Sequence, residues 1–311
     1  MILWKKRMKV KRDSEILIKR LLIALGLLVI FFPLNVTAEN YNSTVPGKED
    51  PAINGMERPV TGTYAVMTGW ENALITYLSP LHYKGSRIGF SGQWSKALPF
   101  NPEHAIMRFK LDGQFSDLLN PAHTARMIGL TGDFSWGMEW RKRLPSQFQV
   151  SIGGAAEVMG GAYYLLRNGN NPVQAIVNLS LNITGTVSKY FWISKLPVLA
   201  TEEISIPSLG AFFCPEYGET YYEIYLGNRK GLAHPCWWGN NFRIDNQLSL
   251  TFDLGRTAAT LGYRLQVFNQ WANSLNIKNL SHSIVIGVIP GGIGLKKKRN
   301  AVTDTNNYSI Y

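Results

Sequence analysis

From Ile128 to Trp140 the chain alternates without a break. Ile128, Leu130, Phe134, Trp136, Met138 and Trp140 fall on even positions, with Thr131, Asp133, Ser135 and Glu139 between them. Successive side chains of a strand point to opposite faces, so this stretch is a ribbon with one greasy side and one wet side. The pattern returns elsewhere. In AIMRFKLDGQF, Met107, Phe109, Leu111 and Phe115 oppose Arg108, Lys110, Asp112 and Gln114. In PVQAIVNLSLNITGTVS, Val177, Leu179, Leu181 and Ile183 oppose Asn178, Ser180, Asn182 and Thr184. NFRIDNQLSLTFDL sets Ile244, Leu248, Leu250 and Phe252 against Arg243, Asp245, Gln247 and Ser249.

Ribbon length separates the possible environments. Soluble strands average about 5–6 residues, whereas a tilted strand crossing a bilayer needs about 9–11. Several of these ribbons are about twice the soluble mean. An open sheet of such strands would expose a long edge, and closure into a barrel removes it. The polar face consists mostly of Gly, Ser, Thr, Asn and Gln with scattered charges of both signs, which suits a hydrated lumen. The apolar face then meets lipid. Trp94, Trp136, Trp140, Tyr190, Phe191 and Trp192 lie near ribbon ends, where interfacial girdles form.

Weaker ribbons at 71–79, 196–206, 219–226, 258–269 and 280–290 bring the count to ten to twelve, with twelve preferred. The expected fold is all-β: a transmembrane antiparallel up-and-down β-barrel. YKGS, RKRLPSQ and RNGNNP read as tight connections, and Pro207 to about Asn241 as one long irregular connection. The orientation of the loops is not fixed by the count.

Charge is distributed unevenly. The formal net charge of +11 would suit an anionic partner, but residues 1–38 hold eight Lys or Arg and two acids, leaving 24 and 19 for the rest. Most of the basic excess therefore belongs to a leader in which a basic stretch precedes LLIALGLLVIFFPLNV and the small-residue site Val36-Thr37-Ala38. This describes a signal peptide cleaved after Ala38, with an uncleaved anchor as the alternative and Met8 as a second possible start. Residues 39–69 read as a flexible N-terminal segment, 70–295 as the barrel and 296–311 as a polar tail. Charged residues make up only 17% of the chain, against about 25% in soluble proteins. With a modest mature charge and no reading module, nucleic acid is not an expected partner.

YLSPLHYKG (77–85), YYLLRNGNNPVQA (163–175), IPSLGAFFCPEYGETYYEIYLGN (206–228) and SHSIVIGVIP (281–290) resemble a family of exported proteins of Gram-negative gut bacteria that carries a domain-of-unknown-function label. The resemblance covers about residues 70–295 and implies an outer-membrane β-barrel. It implies no catalytic residue, substrate or cofactor. The tail from Lys296 is longer than the family's usual ending, so the terminal-strand aromatic signal for the barrel assembly machinery is not plain here.

Chemistry-bearing residues concentrate in CPEYGETYYEIYLGNRKGLAHPCWWGN. Glu216, Glu219 and Glu223 stand among Tyr217, Tyr221 and Tyr222, followed by His234 and Trp237. Aromatic rings beside carboxylates stack on sugars and accept their hydroxyl bonds, so these eight residues are the candidate ligand site, for a glycan or lipopolysaccharide. The competing account is an interfacial strand end followed by a folded surface loop. The barrel is expected to be non-enzymatic: structural, a narrow pore, or a binder of glycolipid or small solutes. The alternatives are a rim-sited lipid hydrolase and a soluble secreted carbohydrate-binding β-sandwich. Cys214 and Cys236, the two cysteines, would pair in an oxidising compartment or remain unrelated thiols. No CxxC or HExxH is present, and neither metal nor cofactor is expected.

A lipid hydrolase would need a serine within reach of an imidazole. Ser281, His282 and Ser283 invite that comparison, but neighbours on a strand face opposite sides, and His282 shares the parity of Ile284 and Ile286. It should therefore face lipid, near a strand end. The basic runs Arg141–Arg143 and Lys296–Arg299 suit side chains reaching lipid headgroups, phospholipid included.

Overall fold

The computed structural model describes residues 60–293 except residue 146. The expected signal peptide, most of the expected N-terminal segment and the tail from Lys296 lie outside the described residues. In chain order the elements are β1 (Thr61–Ile75), β2 (His82–Ala97), β3 (Ala105–Leu119), β4 (Arg126–Leu144), β5 (Phe148–Leu165) and β6 (Val173–Ile193). They continue with β7 (Leu196–Phe213), a short helix α1 (Tyr221–Tyr225), β8 (Ala233–Cys236), β9 (Asn241–Asp253), β10 (Thr257–Ala272) and β11 (Leu275–Pro290).

Every strand but β8 belongs to one closed antiparallel wall. Neighbours in sequence are neighbours in space, β1 pairs with β11, and β7 bridges β6 and β9. Ten strands thus form the barrel and β8 lies outside it, the lower end of the expected ten to twelve. Residues paired directly across the wall run Val198, Phe252, Ala259, Val288, Tyr64, Gly92, Leu111, Phe134, Val158 and Leu179, and return to β7 at Ala211. The path comes back far along the strand from its start, the stagger that a closed barrel of tilted strands requires. Wall strands of 13 to 21 residues exceed what a bilayer crossing needs.

The alternation resolves as the sequence implies. Phe134, Trp136 and Leu179 are 45%, 41% and 51% exposed on the outer face, while Glu139, Asn178 and Ser180, of opposite parity on the same strands, are buried in the lumen. Greasy outside and polar inside, the wall inverts a soluble protein.

Several local expectations change. The first strand starts at Thr61 and so takes in residues assigned to the flexible segment. YKGS lies inside β2, because Tyr83 and the residues after it pair with β1. YYEIY is helix α1, not a strand end: Thr220 accepts from Glu223 N (3.1 Å) while the Glu223 carboxylate accepts from Thr220 N (2.7 Å), a reciprocal cap. His282 does face outward, but mid-strand, opposite Trp70 and Leu265.

The wall is irregular in one place. The register of β6 and β7 shifts at Leu181/Asn182, and the β7–β9 ladder stops at Ser205 opposite Asp245. Beyond it Pro207, which has no N–H to offer, sits where that edge has no ladder partner, and Trp238 Nε1 donates to its carbonyl at 2.5 Å. Farther along, Gly210–Phe213 pairs with β8.

A cation on the outer face tests this geometry. Leu179→Arg is expected to cost about 2–4 kcal/mol in urea unfolding from vesicles, the range for a basic residue at bilayer mid-depth. An unchanged midpoint would mean that Leu179 does not meet hydrocarbon.

Candidate functional site

Two regions could carry function: the lumen and the long loop after β7. Both are built on the wall. Inward residues at the ends of strands near the β1–β2, β3–β4, β5–β6 and β10–β11 turns are large and apolar. Ile75, Tyr83, Leu118, Met127, Leu165, Ile176 and Ile277 pack with Phe268 into a dry plug across that end.

Beneath the plug the lumen is ionic. Arg264, fully buried, donates from Nε to Asp245 (2.7 Å) and from Nη2 to Asp112 (2.5 Å) and to Asp245. Lys110 Nζ lies 3.6 Å from Asp112 and 3.4 Å from Asp245. Arg243 pairs with Glu157, and Arg108 spans Glu139 (3.3 Å) and Glu203 (3.1 Å). Glu71 is held from four sides: Arg87 at 3.4 Å, Tyr163 Oη at 2.6 Å, Asn279 at 2.7 Å and Ser116 at 2.5 Å. These contacts join strands on opposite sides of the barrel, so the lumen is cross-braced. Among the described residues the lumen includes cavities of about 60 and 40 Å³, room for about four and three waters. Asp133 lines both.

At the opposite end Arg141 points inward, where its Nε and Nη2 donate to the carbonyls of Glu103 and Pro102, both at 2.8 Å. Of the 141–143 run this turns Arg141 alone away from the headgroups, while Lys142 and Arg143 are exposed. Odd positions of β4 face the lumen, so of Arg141 and Lys142 only Lys142 is exposed outside.

The loop holds all eight candidate residues but divides them. Glu219 is buried; its carboxylate accepts from Glu216 N (3.0 Å) and Asn228 (2.8 Å), and its carbonyl accepts from Tyr77 Oη (2.7 Å). The Tyr221 hydroxyl accepts from Ala175 N (2.7 Å), and its ring meets Tyr77 edge-on at 6.0 Å. Burial, with Tyr221 and Glu219 alongside, pushes the Tyr77 phenol up to about 12. Glu223 is used as the helix cap, and Thr220 holds its carboxyl below the ordinary value. His234 stacks on Phe212 at 5.5 Å and contacts Asn273 at 3.2 Å. These are anchors. Tyr217, Tyr222 and Tyr225 are instead 76%, 68% and 81% exposed, joined by exposed Trp237 and Trp238. Tyr225 and Trp238 were not among the sequence candidates, though both lie in the same stretch.

Cys214 and Cys236 are separate buried thiols within one apolar cluster, not a disulfide. Cys214 Sγ instead contacts the carbonyls of Pro215 and Ala272, each at 3.6 Å. His282 and its flanking serines divide across the wall, Ser281 and Ser283 into the lumen and His282 outward, so they form no acid–base pair.

A closed wall, grease outside and an ion-filled interior define a transmembrane β-barrel. The chain belongs to the family described as protein of unknown function (DUF3316), whose model matches residues 21–299. Among solved structures it is similar to the outer membrane protease OmpT of Escherichia coli, at 7% identity over 78% of this chain and 98% of that one, TM-score 0.41. It is also similar to the transport unit of the Escherichia coli autotransporter AIDA-I, at 6% identity over 82% and 94%, TM-score 0.41. A third is the beta domain of the Bordetella autotransporter BrkA, at 11% identity over 74% and 99%, TM-score 0.37. No curated protein matches.

Removing Arg264 should expose the value of the bracing. Arg264→Met leaves Asp112 and Asp245 short of a counter-charge and is expected to cost about 3–5 kcal/mol in urea unfolding, with Asp112→Asn recovering part of it. A cost under about 1 kcal/mol would mean water already screens the cluster.

The thiols give a second check. Burial pushes Cys214 up to about 11, so its thiolate is scarce at pH 8. Maleimide labelling of the folded protein should be slow at pH 8 and quicken as pH rises toward 11, whereas unfolding should release it at once. Fast labelling at pH 8 would contradict the packing.

Proposed function

We propose that the protein is an exported outer-membrane barrel, delivered by its cleaved signal peptide and inserted by the barrel assembly machinery, that binds glycolipid saccharide through the loop after β7. Its lumen serves as a brace. The observation that carries this reading is the division of the loop: Glu219, Tyr221 and His234 fasten it to the barrel while Tyr217, Tyr222, Tyr225 and Trp237 project their rings. Rings held on a fastened loop lose little freedom on binding, which favours stacking on a sugar.

Orientation follows a general rule of such barrels, in which short turns face the periplasm and long loops the exterior. The long loop and α1 then sit at the outer surface with the apolar plug just beneath. Arg229 and Lys230, both exposed, add positive charge beside the rings and suit the phosphates of lipopolysaccharide. Plug, ion pairs and small cavities together support a barrel that passes no solute.

Two measurements test this. Planar bilayers containing the protein should show no discrete conductance steps; regular steps would refute the closed lumen. Binding to the delipidated saccharide of lipopolysaccharide should fall about tenfold in a Tyr222→Ala, Tyr225→Ala variant whose melting is unchanged, the loss of about 1.4 kcal/mol that two ring contacts can supply. Equal binding by the variant would dismiss the loop.

A further inference from the structure

Two lysines on the outer wall stand without a counter-charge. Lys84 near the start of β2 and Lys278 near the start of β11 are exposed, as is His82. Their rows adjoin across β1: His82, Leu74 and Lys278 pair in register, and so do Lys84, Asn72 and Leu280. His82 Nδ1 donates to Asn72 Oδ1 at 3.1 Å, and the Asn72 NH2 group, on the strand between the two lysines, makes no hydrogen bond among the described residues. The fields of both lysines reach the His82 ring. On the next strand Asp117, opposite Ser86, accepts from Arg126 Nε and Nη2 at 2.7 Å each, so it is already neutralised. Neither lysine meets a carboxylate among the described residues.

The two lysines share one depth. The path across the wall climbs β7 from Val198 to Ala211, toward the loop end, so each step from β11 to β1 to β2 rises about 3 Å at a tilt of about 40°. Two steps raise Lys84 about 6 Å above Lys278, and its place two residues below His82 lowers it about 5 Å. The two Cα atoms are then about 12 Å apart at one level, within the joint reach of two lysine side chains. That level is an interface. Asn72 lies eight residues along β1 from Tyr64, about 21 Å up the axis, and Tyr64 meets Trp94 edge-on in the opposite girdle. The apolar band of such barrels is about 25 Å tall. Toward mid-depth the wall beneath the lysines offers Trp70, Ile88, Leu280 and Ile284, all exposed.

An unpaired cation at this level is drawn to lipid phosphate. We propose that Lys84, Lys278 and the Asn72 NH2 group bind one phosphate monoester of an outer-leaflet glycolipid of the lipopolysaccharide class, whose acyl chains lie on the wall below. The orientation rests on the function proposed above, but the site is separate from its loop: it takes the lipid anchor, not the saccharide. Charge selects the partner. A phosphate monoester carries about −1.5 to −2 at neutral pH and matches two unpaired lysines, whereas the diester of a phospholipid carries a single charge.

The test is native mass spectrometry of the full folded chain in detergent. It is titrated with the phosphorylated lipid anchor of lipopolysaccharide, with the same anchor after phosphatase treatment, and with phosphatidylglycerol. The phosphorylated anchor should bind tightest. Lys84→Gln with Lys278→Gln should weaken it about thirtyfold, at about 1 kcal/mol for each lysine, while Lys84→Arg with Lys278→Arg keeps it. Lys142→Gln with Arg143→Gln removes as much charge from the other end and should change nothing. Heat-modifiable migration confirms that each variant folds. The glutamine pair should still bind the delipidated saccharide, and the Tyr222→Ala, Tyr225→Ala variant should still bind the anchor, so either site can fail without the other. Labelling of Arg229→Cys on intact cells by an impermeant maleimide checks the orientation, the native thiols being buried. The proposal fails if the glutamine pair binds the anchor like the unmodified chain, if dephosphorylated anchor or phosphatidylglycerol binds as well as the phosphorylated anchor, or if Arg229→Cys is not labelled.

Discussion

The wall rests on one requirement: in hydrocarbon there is no water to satisfy a backbone N–H or C=O, so every such group must find a partner in the chain. Ten strands meet it by closing on themselves, β1 to β11 and β7 to both β6 and β9. Where the ladder lapses after Ser205, the same requirement is met by other means. Proline removes one donor, the Trp238 indole satisfies the carbonyl left behind, and β8 takes over pairing beyond it. The long loop is therefore part of the closure.

Closure also dictates the interior. With apolar side chains turned outward, alternation forces polar ones into a lumen too narrow to hydrate them freely. Charges there must meet opposite charges, and they do so across the barrel: Arg264 of β10 with Asp112 of β3, Arg243 of β9 with Glu157 of β5, Arg108 of β3 with Glu203 of β7. Such pairs return little net stability against an apolar alternative, because desolvation offsets attraction. What they supply is geometry. Each fixes the distance between opposite strands, and with the apolar plug they turn a hollow wall into a stiff post.

Much of this was legible in the sequence because strand parity is local. Phe134 outside and Asp133 inside can be assigned from their neighbours alone, and so can the lipid-facing side of His282. Partners across the barrel were not legible. That Arg264 meets Asp112 depends on the stagger of ten strands, a sum of turn lengths and one bulge that no short window contains. The loop was misread for a different reason. YYEIY has the aromatic and β-branched residues of a strand, but Thr220 and Glu223 stand at capping-box spacing, and two reciprocal hydrogen bonds outweigh the propensity of five residues. Candidate ligand residues divided in the same way: the sequence marked a stretch rich in rings and carboxylates, and only packing separates fastened Tyr221 from projecting Tyr222.

A braced and plugged interior leaves the outside surfaces to differ from one another, and β7 is where they do. Glu202 breaks the apolar row on its lipid face, Glu203 one residue later braces the lumen through Arg108, and past Ser205 the strand keeps only β6 and then β8 beside it until the chain leaves the wall after Phe213. Adjacent residues on one strand thus serve lipid face and interior. A shift of β7 by one residue would put Glu202 inside, Glu203 against hydrocarbon and the loop's anchors out of reach of Tyr77. Selection acting on any one of these features therefore holds the other two in register.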